Sequence, residues 1–358
     1  MRFSWSFLNQ PMNSQLVLTD LNSVSYADWI TTIGHSLKRY VCFVTSGYEV
    51  RSITWASRTL EKLNARNEFE LYVAGFEDFT DALSRPANDA FYKSRDLNVL
   101  ESGSSRDTNF LTAFEREIAK KLNEHERPNI EVHVDYSCMP RKWYCALPSI
   151  VNPYLRPNDR AFFWYTPGKY QETSYPTAGT SDFRIFSGRP TLSAPSRTHF
   201  FGLGFDRIRS QAIWSVLDPH NLVCFYADPA AEPSYVARVE RDNREALNAA
   251  AYTFKVPMND FVTAYSKLMA TVQQFRSMGD VIIVPDGPKP LVLASSVVPL
   301  AMEDPSGVVC FHVAKRHTST FTPVDVSANG DPIGLSFGGV RAARDRQKQG
   351  AIGECLAA

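Results

Sequence analysis

The residues of this sequence best placed for chemistry are charged side chains that follow glycines and prolines. Gly47-Tyr48-Glu49 runs into Arg51-Ser52, and Gly204-Phe205-Asp206 runs into Arg209-Ser210. Pro140-Arg141 and Pro288-Lys289 add two more cations, each following an apolar run that ends in an acid, Asp135 or Asp286. A glycine lets the backbone come close to a ligand, and arginine or lysine beside it can make charge-assisted hydrogen bonds to phosphate. In that chemistry Arg51, Arg141, Arg209 and Lys289 hold phosphates while Tyr48 and Phe205 stack on bases. A second chemistry makes Glu49 or Asp135 a general base or nucleophile on a nucleotide or sugar phosphate. A carboxylate against an arginine suits that role poorly, because the cation depresses its pKa. A third possibility is purely structural. Glu49 with Arg51, and Asp206 with Arg209, would be ion pairs that fix a turn and cap a helix. Arg141 and Lys142 would be a solvated corner, Asp135 and Asp286 caps or turn formers, Ser137 a helix cap near Pro140, and Tyr48 and Phe205 core residues.

Other chemistries lack their signatures. "GLGFDR" has Gly202 and Gly204 but Arg207 where a dinucleotide fingerprint needs a third glycine, so NAD is not expected. There is no GxxxxGK[ST], HExxH or GxSxG string, and the seven histidines show no metal-ligand spacing. Neither cofactor nor metal is predicted, and His133, His199 and His312, in or beside apolar runs, read as structural.

Short apolar runs alternate with longer amphipathic stretches. The runs cover 40–47, 69–76, 130–137, 160–167, 198–205, 221–228, 280–287 and 307–314. Continuous hydrophobicity over such short lengths suits strands buried on both faces. Helical patterns lie at 108–125, 242–254 and 259–279, the last with Asn259 or Asp260 to cap it and Gly279 to end it. Strand–helix alternation predicts an α/β protein with mainly parallel sheets. The motifs then sit at the carboxyl ends of strands, where open α/β sheets bind ligands and helix N-termini favour anions. The two glycine motifs, and the two proline motifs, recur in the same order at similar spacing, with Trp55 and Trp214 following the first of each. We read this as tandem duplication of a Rossmann-like unit with pseudo-twofold symmetry. The Gly-, Pro- and Ser-rich stretch 166–196 marks the boundary, giving units at residues 1–178 and 179–358. The second would end in a β-hairpin over 322–339, with Asn-Gly at its turn, and a loose tail from Val340.

Lys+Arg and Asp+Glu both number 38, which argues against a nucleic-acid-coating surface. No apolar run is long enough to span a membrane, and the N-terminus lacks a signal-peptide core. None of the six cysteines forms CxxC and several lie in apolar runs, so free core thiols in the cytoplasm are expected.

A strand ending in "SGYE", followed later by one ending in "DYSCMPRK", resembles the CRISPR-associated Rossmann-fold sensor domains. Tandem fusion of two such units also resembles the second-messenger sensors of cyclic-nucleotide antiphage systems. The resemblance implies a cyclic oligonucleotide ligand, with Ser46, Gly47, Asp135, Ser137 and Arg141 lining its cleft. The Gly-Gly-Thr-Lys element of those sensors is replaced here by "SCMPRK", and by "DGPKP" in the second half. The expected function is therefore binding of a phosphate-bearing nucleotide or oligonucleotide between the units, in bacterial antiphage defence. Output would pass through a protein partner encoded nearby or through an intrinsic activity. The alternatives are the enzyme above and a structural subunit, whose mark would be clefts filled by the protein's own side chains.

Overall fold

The computed structural model describes residues 16, 18–33, 38–62, 68–95, 97–100, 109–124, 128–170, 180–191, 196–315 and 324–339. The expected boundary at 178/179 and the tail from Val340 lie outside the described residues. The first unit comprises β1 (Thr19–Ser25), α1 (Tyr26–Thr32), β2 (Lys38–Ser46), α2 (Thr54–Leu60), β3 (Glu68–Gly75), α3 (Arg85–Lys93), β4 (Asn98–Leu100) and α4 (Asn109–Leu122). It continues with β5 (Asn129–Asp135), α5 (Arg141–Tyr144), α6 (Leu147–Val151), β6 (Arg160–Tyr165) and the short β7 (Gly168–Lys169). The second comprises β8 (Thr180–Arg189), β9 (Arg197–Gly202), α7 (Arg207–Leu217), β10 (Asn221–Ala227), α8 (Pro233–Asp242), α9 (Arg244–Ala249) and β11 (Tyr252–Val256). After it come α10 (Phe261–Arg276), β12 (Asp280–Pro285), α11 (Lys289–Ala301) and β13 (Val308–Lys315). The chain then returns with β14 (Ser327–Ala328) and β15 (Ile333–Gly338).

The two large sheets repeat one topology. In the first the parallel order is β4-β3-β2-β5-β6, and in the second it is β11-β10-β9-β12-β13. Each order reverses between the strand that carries the glycine motif and the strand that carries the proline motif, which is the ligand-binding crevice of doubly wound folds. An antiparallel strand follows in each case, β15 with β1 outside it in the first sheet and β8 in the second. The chain is thus two tandem Rossmann-like units. All eight apolar runs are strands, β2, β3, β5, β6, β9, β10, β12 and β13. In β2 and β5 every residue from Tyr40 and Ile130 onward is buried, as continuous hydrophobicity requires.

Helix α11 holds the units together. Its residues from Pro290 to Pro299 are all buried, and a helix apolar on every side has to be enclosed. A single apolar cluster runs from Val41, Phe43 and Trp143 in the first unit to Leu291, Val298 and Phe200 in the second. On the other face of the first sheet, Trp29, Trp55, Trp164 and His133 pack together. His133 Nδ1 accepts from Trp164 Nε1 at 3.0 Å, so Nε2 carries the proton towards Glu131 Oε2 at 3.2 Å. Burial holds this imidazole below its ordinary pKa, and its role is structural. Among the described residues no helix is long and apolar enough to cross a membrane.

Three expectations are corrected. Residues 324–339 form no β-hairpin: β14 pairs with β7, and β15 lies between β6 and β1 in the first sheet. Asn329-Gly330 does turn the chain, with Gly330 at φ +85, but towards a different sheet. The stretch 166–196, whose Gly, Pro, Ser and Thr content reads as a functional loop or passive linker, contains a ten-residue strand, β8, paired with β13. The helical pattern at 242–254 ends at Ala249, and Tyr252 begins the edge strand β11.

Candidate functional site at the strand tips

At the end of β2, Ser52 Oγ accepts from Gly47 N at 2.9 Å and donates to Thr45 O at 2.6 Å, which closes the glycine turn. Arg51 lies in the short 3-10 turn that follows and is only 1% exposed. Its guanidinium donates to Glu49 Oε2 at 2.5 Å, Tyr165 Oη at 3.2 Å, Thr166 O at 2.9 Å and Tyr170 Oη at 3.2 Å. Glu49 is therefore an ion-pair partner, but its side chain caps no helix.

In the second copy Asp206 is the N-cap of α7, accepting from Arg209 N at 3.0 Å. Arg209 is 2% exposed and turns away from Asp206 to Asp286 Oδ1 at 2.8 Å. It also donates to Val313 O, in β13. Arg51 and Arg209 thus do the same work: each ties the tip of a unit's first parallel strand to the end of its fifth.

The proline motifs cross between units. Pro140 and Pro288 are extended N-cap residues that aim the next side chain forward. Arg141 reaches Asp286 Oδ1 at 2.8 Å and the carbonyls of Pro285 and Asp286 at 3.3 Å. Lys289 reaches back to the carbonyls of Ser137 at 2.6 Å, Met139 at 2.8 Å and Tyr136 at 3.4 Å. Arg141 is therefore not a solvated corner. This reciprocal exchange is the pseudo-twofold relation of the units seen at the level of single hydrogen bonds.

The acids are equally engaged. Buried Asp135 Oδ1 accepts from Ser137 N at 3.0 Å and Ser137 Oγ at 2.5 Å, and Ser137 Oγ accepts from Thr166 N at 2.7 Å. Ser137 thus joins the tips of β5 and β6 instead of capping α5. Burial pushes the Asp135 carboxyl up to about 6, against the Ser137 hydrogen bonds. Burial also opposes ionisation of Asp286, but Arg141 and Arg209 together hold its carboxyl below the ordinary value. Lys289 is drawn down to about 8, chiefly by burial. Ser46 Oγ donates to Asp89 at 2.5 Å. Tyr48 packs edge-on to Phe79, and Phe205 packs against Tyr235 and Tyr170 with Arg238 over its ring.

The structure therefore brings the fifteen sequence-derived positions to the strand tips, where polar side chains mostly meet protein partners. The sequence reading missed two residues of the same machinery. Asn88 Nδ2 donates to Gly47 O at 2.8 Å and Glu49 O at 2.9 Å, and Asn243 Nδ2 donates to Gly204 O at 2.9 Å. Each lies at nearly the same distance downstream of its glycine, a spacing that could have revealed them. Gly204 has a packing reason of its own, since a Cβ there would stand 2.4 Å from Asp286 O. Gly204→Ala is expected to cost about 2–3 kcal/mol, at the upper end for overpacking because the obstacle is backbone. Urea denaturation measures this directly, and a loss below about 0.5 kcal/mol would contradict the close approach of the two tips.

The fold and these motifs define a duplicated Rossmann-like α/β protein. No protein-family model matches the chain, and no curated protein matches it in sequence.

Proposed function

We propose that the chain is a structural subunit in which the strand-tip motifs weld two Rossmann-like units into one body. The observation that carries this reading is the reciprocal exchange, Arg141 onto the Asp286 turn and Lys289 onto the Ser137 turn. Cations committed to buried protein acceptors contribute to stability and specificity, and are poor phosphate ligands unless those bonds break. The buried thiols Cys42, Cys145, Cys224 and Cys310 suit a reducing compartment, the cytoplasm.

The test is thermal and chemical unfolding of Arg51→Ala and Arg141→Ala. Each is expected to lose about 2–4 kcal/mol, because each leaves buried acceptors unmet. Unchanged melting temperatures in both would sink the structural reading.

One observation favours the second reading, a nucleotide or oligonucleotide in the cleft between the units. The tips of β5 and β12 face each other across the pseudo-twofold axis, where Tyr144 Oη, Thr166 Oγ1 and Arg209 Nη1 are buried without hydrogen-bond partners. A ligand with its own twofold symmetry, as the antiphage-sensor resemblance implies, would pull Arg141 and Lys289 off their carbonyls and pass the change to a protein partner. Mass spectrometry of small molecules released on denaturing the purified chain decides between them. A released nucleotide, with binding lost in Arg141→Ala, favours the sensor, and none favours the weld.

A further inference from the structure

We propose a small-molecule site on the flank of the second unit, between α7 and the corner joining α8 to α9. Its ligand is a planar nitrogen heterocycle carrying one anionic group, the chemistry of a nucleoside monophosphate. The proposal goes beyond the role of the strand-tip junction and does not depend on it. A cavity of about 320 Å³ lies here, lined among others by Ser210, Gln211, Trp214, Asn243 and Arg244. That volume falls at the low end of the range for small-molecule sites.

Two buried groups in the lining are incomplete. Ser210 is 3% exposed and its Oγ has no partner; Asn243 is 4% exposed and its Oδ1 has none. The Asn243 amide orientation is settled, because Nδ2 donates to Gly204 O and to Val239 O, both at 2.9 Å. Oδ1 is therefore an unmet acceptor on the other edge of the amide. Unpaired buried polar groups are uncommon and costly, and a ligand supplying their partners removes the cost.

The charges point the same way. Asp242 is held by Arg241 at 2.9 Å and Arg238 at 3.5 Å, and Glu245 Oε2 accepts from Gln211 at 2.7 Å. The charged lining is two arginines and two carboxylates, and Arg244, exposed at the rim, makes no ion pair or hydrogen bond among the described residues, so its guanidinium can meet an anion. Trp214, half-buried, offers an indole surface. A heterocycle on Trp214 can donate an N–H to Asn243 Oδ1, meet Ser210 Oγ, and place its anionic group on Arg244.

The first unit is an internal control. There Ser52 Oγ bonds both Gly47 N and Thr45 O, and Trp55 is buried against Trp29. Tyr92 Oη donates to Ser52 O at 3.3 Å, adding a further internal bond to this turn. In the first copy the serine hydroxyl is satisfied within the protein, although Trp55 Nε1 is buried without a partner; in the second the serine hydroxyl is unmet and a cavity lies beside it.

The test is calorimetric titration of the full chain with adenosine, guanosine, cytidine and uridine monophosphates, and with the matching nucleosides. At least one monophosphate is expected to bind at a single site, with its nucleoside about tenfold or more weaker. Arg244→Ala should weaken binding about tenfold or more, as loss of a charge-assisted bond requires. Ser210→Ala should weaken it measurably without lowering the melting temperature, since Oγ makes no bond in the protein. Absence of saturable binding by all four monophosphates would overturn the proposal. So would affinity unaffected by both substitutions, or affinity lost in Arg141→Ala but kept in Arg244→Ala, which would place the ligand at the strand tips.

Discussion

Asp286→Asn is expected to destabilise the protein by about 3–5 kcal/mol, among the largest effects of any single substitution in this chain. One carboxylate oxygen, Oδ1, receives both Arg141 and Arg209 at 2.8 Å. Arginine does not shed its proton inside proteins, so the amide variant leaves two cations facing each other with only carbonyls for company. Arg209 suffers more, because it is buried and Arg141 keeps partial access to water. The effect also reaches across the junction, since Arg141 belongs to the first unit and Asp286 to the second. Urea denaturation at neutral pH should show a lower midpoint. A loss under about 1 kcal/mol would mean that the triad is screened by water and welds nothing. The triple variant Arg141→Met, Arg209→Met, Asp286→Leu is expected to recover most of the loss, because a buried charge cluster replaced as a whole by apolar groups is often neutral or better. The single and triple variants should therefore be far from additive, as members of one network are.

That triad also shows where sequence reasoning stops. Arg141, Arg209 and Asp286 could each be singled out by residue type and by position after a glycine or proline. The alternation of apolar runs and amphipathic stretches gave the strands that carry them, because burial on both faces leaves a continuous hydrophobic signature. What the chain does not encode locally is the partner. Arg209 stands three residues from Asp206, yet pairs with Asp286 at the tip of another strand. Arg51 stands two from Glu49 and does pair with it. The difference comes from the three-dimensional meeting of tips, which local spacing cannot report. Two of the antiparallel strands were hidden for a different reason. Strand β8, "TSDFRIFSGR", opens on three polar residues, breaks alternation at Ile185-Phe186 and carries Gly188 at φ +88, so it reads as loop. Strand β15 is short and glycine-flanked, and its neighbours β1 and β6 lie far away in sequence. Asn329-Gly330 correctly signalled a turn and wrongly suggested that the flanking segments pair with each other.

Asp135 is the residue through which pH should act most visibly on stability. Burial raises its carboxyl to about 6 in the folded protein, above the ordinary aspartate value of 3.8. Between those two values the folded state binds the proton that the unfolded state has released. Stability from this group is therefore complete at low pH and is lost as pH rises through that window. Most other engaged carboxylates act with the opposite sign: Glu131 is held at about 2 by His133 and Lys38 despite its burial, and Asp286 is lowered by its arginines. The total pH profile thus conceals Asp135, but a difference profile exposes it. Asp135→Asn keeps an oxygen to accept from Ser137 and cannot ionise. Whatever this substitution itself costs or gains at pH 4, the stability of the variant relative to the native protein should rise by roughly 2–3 kcal/mol between pH 4 and pH 7. Urea midpoints at half-unit pH steps provide the measurement. A flat or falling difference would mean that Asp135 is ionised at little cost, with water or a cation reaching it between the strand tips. The same groove would then be open enough for the nucleotide reading, so the titration of one carboxylate bears on whether the junction is a closed weld or a binding cleft.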